Sequence, residues 1–295
     1  MDNVTHTLFG VALARAGLAR RYGRGTTLVL ALASNVPDVD GLYALVAGGD
    51  MWLHRRIATH GLPMLPVVSL VAALLLRPLA PRLRLAPLFL LCLLGTLGHT
   101  ALDLLNSFGV VLLWPFRATR FELGWTFVID LMCTALLAWP LVPMRAAPER
   151  RARLALAFLA GYLGFCALAR QRAQDLVAAR GLGPAAGRRQ ATFPELLGAH
   201  RFRIAVERDG RWDEILCNVL TGTCAVVRSV VDQASDARVR AARATPAGAT
   251  LEWFFAAPVW QITPEGAAVE VFDLRFTSAV WPRGRPFLRR LPLPR

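Results

Sequence analysis

Residues 94–109, LGTLGHTALDLLNSFG, decide the fold. The stretch lies in a long apolar segment, yet it contains His99 and Asp103 four residues apart. In an α-helix, positions i and i+4 lie on the same face, one turn apart. The sequence therefore predicts a membrane helix that presents an imidazole and a carboxylate on one face.

The composition is that of a membrane protein. The 295 residues are 55% hydrophobic, and the mean hydropathy is +0.43, which is high for a soluble enzyme. The formal net charge is +14, and every basic residue is an arginine. These arginines are spread along the chain without a basic run interleaved with aromatics, so anionic membrane lipid is the expected partner and nucleic acid is not.

Four apolar segments approach the ~20 residues that a hydrocarbon core of about 30 Å requires. They are 62–76, 86–106, 126–142 and 153–169. Two shorter apolar stretches, 3–19 and 26–36, precede them and could be tilted or partly buried. We therefore expect a mainly α fold, an integral membrane bundle of four to six apolar helices within residues 1–170.

The composition and the hydrophobic pattern of the sequence change after residue 170. Gly and Pro punctuate residues 171–190, which predicts a linker. Residues 191–295 then show β-type alternation in HRFRIAVERDG, TCAVVRSVVD, ATLEWFFAAPVW and AAVEVFDLRF, which predicts a small strand-rich domain.

The five cysteines give little support for a thiolate zinc site, because no CxxC pair is present. Three of them lie in apolar segments. Cys217 and Cys224 could form a disulfide if their domain is extracytoplasmic, but we expect two shielded thiols.

Arginine placement predicts the orientation of the bundle. Connections within 15–24, 77–84 and 145–153 hold eleven arginines, and the alternate connections, at 55–56 and 117–120, hold four. The positive-inside rule places the richer set in the cytoplasm. With six helical passes, the strand-rich domain then lies on the outer side of the membrane.

Most histidines and several carboxylates converge at the outer edge of this predicted topology. Neutral imidazole and carboxylate oxygen are ligands for zinc and related divalent ions. We therefore predict a metal site on that side. Its candidate ligands are His6, Asp38, Asp40, His54, His60, His99 and Asp103.

Hydrolysis of a phosphoester through a metal-activated water is the chemistry that this site would favour. One to three divalent ions are expected, zinc first and manganese as the alternative. Asp40 or Asp130 would accept the proton, and Arg55, with Arg56 beside it, would neutralise a phosphate.

Other interpretations of the same residues remain open. His99 and Asp103 could form a hydrogen-bonded pair without a metal. Asp38 and Asp40 could be turn and capping residues, and Asp130 could cap its helix. The whole cluster could instead serve a metal-binding transporter or sensor without hydrolytic activity.

Four segments resemble the bacterial family of membrane-bound metal-dependent hydrolases, the YdjM-like, LexA-regulated inner-membrane type. They are DNVTHTLFG, NVPDVDG, HRRIATHG and GHTALDLLNSFGV. The family pattern has D-x-x-T-H, P-D-x-D, H-R-x-x-T-H and H-x-x-x-D; here the third segment holds one extra residue between His54 and His60. The family is distantly similar to zinc-dependent phospholipase C. The resemblance implies an inner-membrane hydrolase acting on a lipid or another phosphoester.

Overall fold

The computed structural model describes residues 1–46, 50–144, 147–196, 198–277, 285 and 287–293. It forms two compact units, Met1–Phe165 and Cys166–Arg295. The first is helical, and the second contains two small antiparallel sheets. The mainly α fold with a strand-rich C-terminal region is therefore confirmed. Arg145, which contributed to the predicted orientation, lies outside the described residues.

The helices of the first unit follow the predicted apolar segments. They are α1 (Asn3–Leu13), α2 (Ala19–Tyr22), α3 (Thr26–Ala33), α4 (Val39–Val46), α5 (Met51–His54), α6 (Leu65–Leu76), α7 (Leu85–Leu104), α8 (Leu131–Ala138) and α9 (Pro148–Ala179), the last continuing into the second unit. A π-helical stretch, Ala14–Leu18, joins α1 to α2, and its Gly17 has φ 141°, which favours glycine. A 3₁₀ turn, Val36–Asp38, precedes α4.

Within the described parts of the chain, two helices, α7 and α9, are long and apolar enough to cross a membrane. The 20 residues of α7 correspond to about 30 Å of helix. The segments predicted at 62–76 and 126–142 form shorter helices, because α6 begins only at Leu65 and α8 begins only after its N-cap residue, Asp130. Membrane localisation is supported, and the count of four to six spans stays a prediction.

Small residues bring α3 and α7 close together. A Cβ placed on Gly95 of α7 would lie 2.9 Å from the Cβ of Ala33, so only glycine fits there. Gly10 of α1 lies equally tightly against the Leu30 carbonyl of α3. The Gly95 contact holds the second half of α7 against the end of α3, and the Gly10 contact holds α1 against α3.

The second unit pairs its strands in chain order. One sheet contains β1 (Gln190–Pro194), β2 (Arg201–Arg208), β3 (Arg211–Asn218) and β4 (Thr223–Val231); the other contains β5 (Pro258–Ile262), β6 (Ala268–Asp273) and β7 (Arg289–Pro292). Helices α10 (Ala237–Arg243) and α11 (Pro246–Phe254) connect the sheets. Ala169, Ala173 and Val177 of α9 pack against residues of β2 and β3 to form a buried core.

Two sequence predictions for this unit need correction. The strand predicted from ATLEWFFAAPVW is helical in its first half, because Thr245 caps the N-terminus of α11 and accepts from the N–H of Gly248. Cys217 and Cys224 form a disulfide, since they are cross-strand partners in the β3–β4 pair. In addition, α9 continues to Ala179, so the first part of the 171–190 segment is helical.

Candidate metal centre

Four side chains meet at the end of α7. Asp38, His60, His99 and Asp103 each offer one ligand atom, and these atoms all lie within 4.8 Å of one another. Asp38 ends the 3₁₀ turn before α4, and His60 lies in the loop after α5. The i, i+4 pair on α7 faces the same point, as predicted, with His99 Nε2 3.5 Å from Asp103 Oδ2.

The two imidazoles of this group point their Nε2 atoms at each other. The Nδ1 of His99 lies 2.7 Å from the Ser34 carbonyl, and the Nδ1 of His60 lies 3.3 Å from Asp40 Oδ2. These acceptors place the N–H of each neutral ring on Nδ1. The two Nε2 atoms then face each other at 3.0 Å, an arrangement that suits a cation between them, either a proton or a metal ion.

The carboxylates complete a donor set that fits a metal. Asp38 Oδ1 lies 3.9 Å from His60 Nε2 and 3.8 Å from His99 Nε2. Asp103 Oδ2 lies 3.4 Å from His60 Nε2. Ligand atoms about 2 Å from a tetrahedral zinc ion stand about 3.3 Å apart. Two nitrogens and two oxygens at this spacing therefore suit zinc or a related divalent ion.

Positive groups hold the carboxylates in place. Arg55 Nη2 donates to Asp38 Oδ1 at 2.6 Å. Arg56 places Nε 2.7 Å from Asp103 Oδ2, and its Nη1 donates to Asn106 Oδ1 at 3.0 Å. The N-terminal amine of Met1 also bonds Asp103 Oδ1. The sequence analysis identified neither Asn106 nor the N-terminal amine of Met1 as part of the site.

Arg56 is held in an unusual backbone conformation. Its φ is 60°, in the left-handed region that a side chain rarely adopts. Its N–H donates to Asp40 Oδ2 at 2.8 Å, and its carbonyl accepts from Val111 at 2.9 Å. These bonds fix the strained residue, and strain of this kind concentrates at functional sites.

The protonation states outside α7 suit metal binding. Burial alone would raise the pKa of Asp38. Its electrostatic interactions with His99 and Arg55 outweigh this effect and lower the pKa to about 2. Burial lowers the pKa of His60, although its hydrogen bond with Asp40 opposes the shift. At neutral pH, the Asp38 carboxylate is thus ionised and the His60 imidazole is neutral, the states in which both can bind a metal.

Two further predicted ligands lie beside the group without belonging to it. His6 stacks on His99 with ring centroids 3.8 Å apart, and its Nε2 lies 3.2 Å from Asp103 Oδ1. Asp40 orients His60 and accepts from the Thr59 hydroxyl at 2.8 Å. Both residues therefore support the group from a second layer.

Two other predicted residues lie elsewhere. His54 is exposed, and its Nδ1 bonds the Asp50 carbonyl at 2.8 Å. Asp130 caps α8 by accepting from the N–H of Cys133 at 2.9 Å, and the Tyr162 hydroxyl donates to it at 3.0 Å. Helix capping, which the sequence analysis left open, therefore describes Asp130.

The spacing around His60 also fits a second alignment, which places a residue other than His54 at the first position of the family pattern. When R-x-x-T-H is aligned backwards from Thr59 and His60, its arginine is Arg56. Arg55 then occupies the position of the first histidine in the pattern. The guanidinium of Arg55 at Asp38 is what the structure places there.

The comparison with known protein families decides the family. The profile of the YdjM inner membrane protein family matches residues 1–173, more than half of the chain. The chain belongs to the YdjM inner membrane protein family. The matched range contains all four residues of the candidate metal group. No curated protein and no solved structure matches the chain.

Proposed function

We propose that this YdjM family protein is a membrane-integral, metal-dependent hydrolase that acts on a phosphoester. The observation that carries the proposal is the pair of Nε2 atoms facing each other at 3.0 Å between two aspartates. A divalent ion held there would lower the pKa of a bound water and polarise a phosphoryl oxygen. Zinc is the first candidate, with manganese as the alternative.

The residues of the site would have two roles, binding the ion and orienting its ligands. His60 and His99 would hold the ion through Nε2, with Asp38 and Asp103 supplying oxygens. The Ser34 carbonyl and Asp40 would keep both rings in the required tautomer, since each accepts from an Nδ1.

Proton transfer is assigned to Asp40. Its Oδ1 is buried without a hydrogen-bond partner among the described residues. Burial raises the pKa of Asp40, but the hydrogen bond with His60 and the other contacts lower it, so the carboxylate is ionised at neutral pH. Asp40 Oδ1 would therefore accept the proton of the attacking water.

Substrate binding is assigned to Arg55. Its side chain is partly exposed, at 18%, whereas His60, His99 and Asp103 are completely buried. A phosphate that approaches the group would meet this guanidinium before the histidines, and arginine pairs well with phosphate oxygens.

The membrane arrangement is also part of the proposal. We infer a multi-pass protein of the bacterial inner membrane, with the site and the strand-rich unit on the outer side. The Cys217–Cys224 disulfide supports this side for the second unit, because disulfides persist in oxidising compartments.

The test is a substrate screen on purified protein in detergent. The screen uses a water-soluble phosphodiester, bis(p-nitrophenyl) phosphate, and phospholipids, each with zinc or manganese. We expect turnover that a chelator abolishes. His99→Ala should lose activity by at least about 100-fold, and His54→Ala should retain it.

Two results would contradict the hydrolase proposal. One is turnover that survives complete metal removal. The other is metal flux that appears only in sealed vesicles without hydrolysis of any substrate, which would favour the transporter.

A further inference from the structure

Helix α4 begins directly after Asp38 and presents an apolar stripe to its surroundings. Val39, Leu42, Tyr43 and Val46 are exposed by 52%, 61%, 75% and 81%. Their spacing of i, i+3, i+4 and i+7 places them on one face of the helix. Four large apolar side chains on so short a helix are a costly surface to leave in water.

The opposite face of α4 lies against the site. Gly41 is buried, and a Cβ added to it would lie 2.9 Å from Cδ of Arg55. Ala44, three residues further along, is also buried. A single helix thus separates Arg55 and Asp38 from whatever covers the stripe.

The position of α4 relative to a spanning helix indicates what covers the stripe. The Ser34 carbonyl, four residues before Asp38, accepts from His99 in the last turns of α7. Helix α7 is one of the two helices able to cross the membrane. The start of α4 is therefore level with one end of that span, where the hydrocarbon core meets the headgroups.

We propose that the face formed by Val39, Leu42, Tyr43 and Val46, the α4 stripe, lies in the bilayer interface and contacts lipid acyl chains. The stripe continues the lipid-facing surface of the bundle up to the mouth of the site. On this basis the substrate is an amphiphile whose acyl chains lie along α4 while its phosphate headgroup reaches Arg55. This last step rests on the proposed function; the position of the stripe does not.

Spin labelling in lipid nanodiscs tests the stripe without metal or turnover. The remaining thiols do not interfere, because Cys92, Cys133 and Cys166 are buried and Cys217 is bonded to Cys224. Nitroxides at Leu42→Cys and Val46→Cys are compared for accessibility to oxygen, which partitions into lipid, and to a water-soluble nickel chelate. Tyr43→Cys samples the same surface if either variant fails to fold.

Two control positions calibrate the measurement. Leu90→Cys lies on α7, at a residue 57% exposed, and Asp209→Cys lies in the turn between β2 and β3, at a side chain 91% exposed. We expect the oxygen-to-nickel accessibility ratio at positions 42 and 46 to match that at 90 and to exceed that at 209 several-fold.

Two outcomes overturn the proposal. A ratio at 42 and 46 like that at 209 places the stripe in water. Low accessibility to both reagents means that protein covers it, either a second copy or another chain.

A kinetic experiment then addresses the substrate alone. Leu42→Glu with Val46→Glu should lower the rate on long-chain phospholipid at least several-fold and leave the rate on bis(p-nitrophenyl) phosphate unchanged. An equal loss on both substrates would contradict an acyl-chain contact. A protein inactive on both from the start would refute the hydrolase and leave the spin-label result standing.

Discussion

Both units bury charged side chains, but they satisfy them differently. In the strand-rich unit, Arg203 is buried and its donors are all used: Nε donates to Glu195 at 2.9 Å, Nη1 to Glu214 at 2.8 Å, and Nη2 to the Thr277 carbonyl. At the end of α7, two imidazole nitrogens instead face each other as acceptors. A buried charge with complete pairing holds a fold together, whereas buried acceptors that converge without a donor mark a place for a cation.

The largest effect is expected where pairing is complete. Arg203→Met would remove the buried guanidinium from Glu195 and Glu214, although Arg228 and the Thr277 hydroxyl would still contact Glu214. It should lower the free energy of unfolding by about 3 kcal/mol. Denaturant unfolding of the full chain in detergent measures it. Arg211→Met is the matched control, because Arg211 is 55% exposed and Asp213 keeps Arg208 and Ser229 as partners, so we expect a loss of about 0–1 kcal/mol. A loss below about 1 kcal/mol for Arg203→Met would show that the network is not structural.

The metal group should respond to its ligand instead. Zinc at about 100 times its Kd should stabilise the wild-type protein by about 2.7 kcal/mol, seen as a rise in Tm. His99→Ala should show no such rise, and His54→Ala should show all of it. An equal rise in the Tm of His99→Ala would mean that zinc binds elsewhere in the protein.

Loss of the disulfide should lower the stability of the second unit only. Replacing both Cys217 and Cys224 by Ser removes a crosslink with a sequence separation of 7. We expect the second unit to lose about 2 kcal/mol of stability, because a short loop gains little entropy when it is opened. Zinc binding should be unchanged. A loss of zinc binding would show that the thiols take part in the metal site.

The smallest effect is expected at Asp130. Asp130→Ala removes the N-cap of α8 and should cost about 1 kcal/mol. Metal content should stay the same, as measured on the purified variant. A fall in metal content would show that Asp130 also takes part in holding the metal.

The sequence predicted the parts of the site that depend on local spacing. His99 and Asp103 share a face because four residues separate them on a helix, and Asp38 follows a helix-ending proline turn. The place of His54 could not be predicted in this way, because the conformation of the loop before His60 decides which side chain turns inward. No periodicity reports that conformation, and the φ of 60° at Arg56 is one of its determinants.

The fold was likewise predictable only in part: the segments were identified, but not all of their bounds and strands. Hydropathy identified the apolar segments, but it does not show where a helix begins within them: α6 begins only at Leu65, and α8 begins only after its cap, Asp130. Alternation identified β2, β4 and β6, whereas β3 was missed because its buried charged residues, Asp213 and Glu214, interrupt the apolar pattern. Without β3, the opposition of Cys217 and Cys224 could not be seen.

Elemental analysis of purified protein tests the metal centre most directly. Wild-type protein and His54→Ala should contain about one divalent ion per chain, and the double variant His60→Ala with His99→Ala should contain almost none. A wild-type protein without metal after expression in zinc-supplemented medium, or a double variant that keeps its full content, would mean that a proton alone lies between the two histidines.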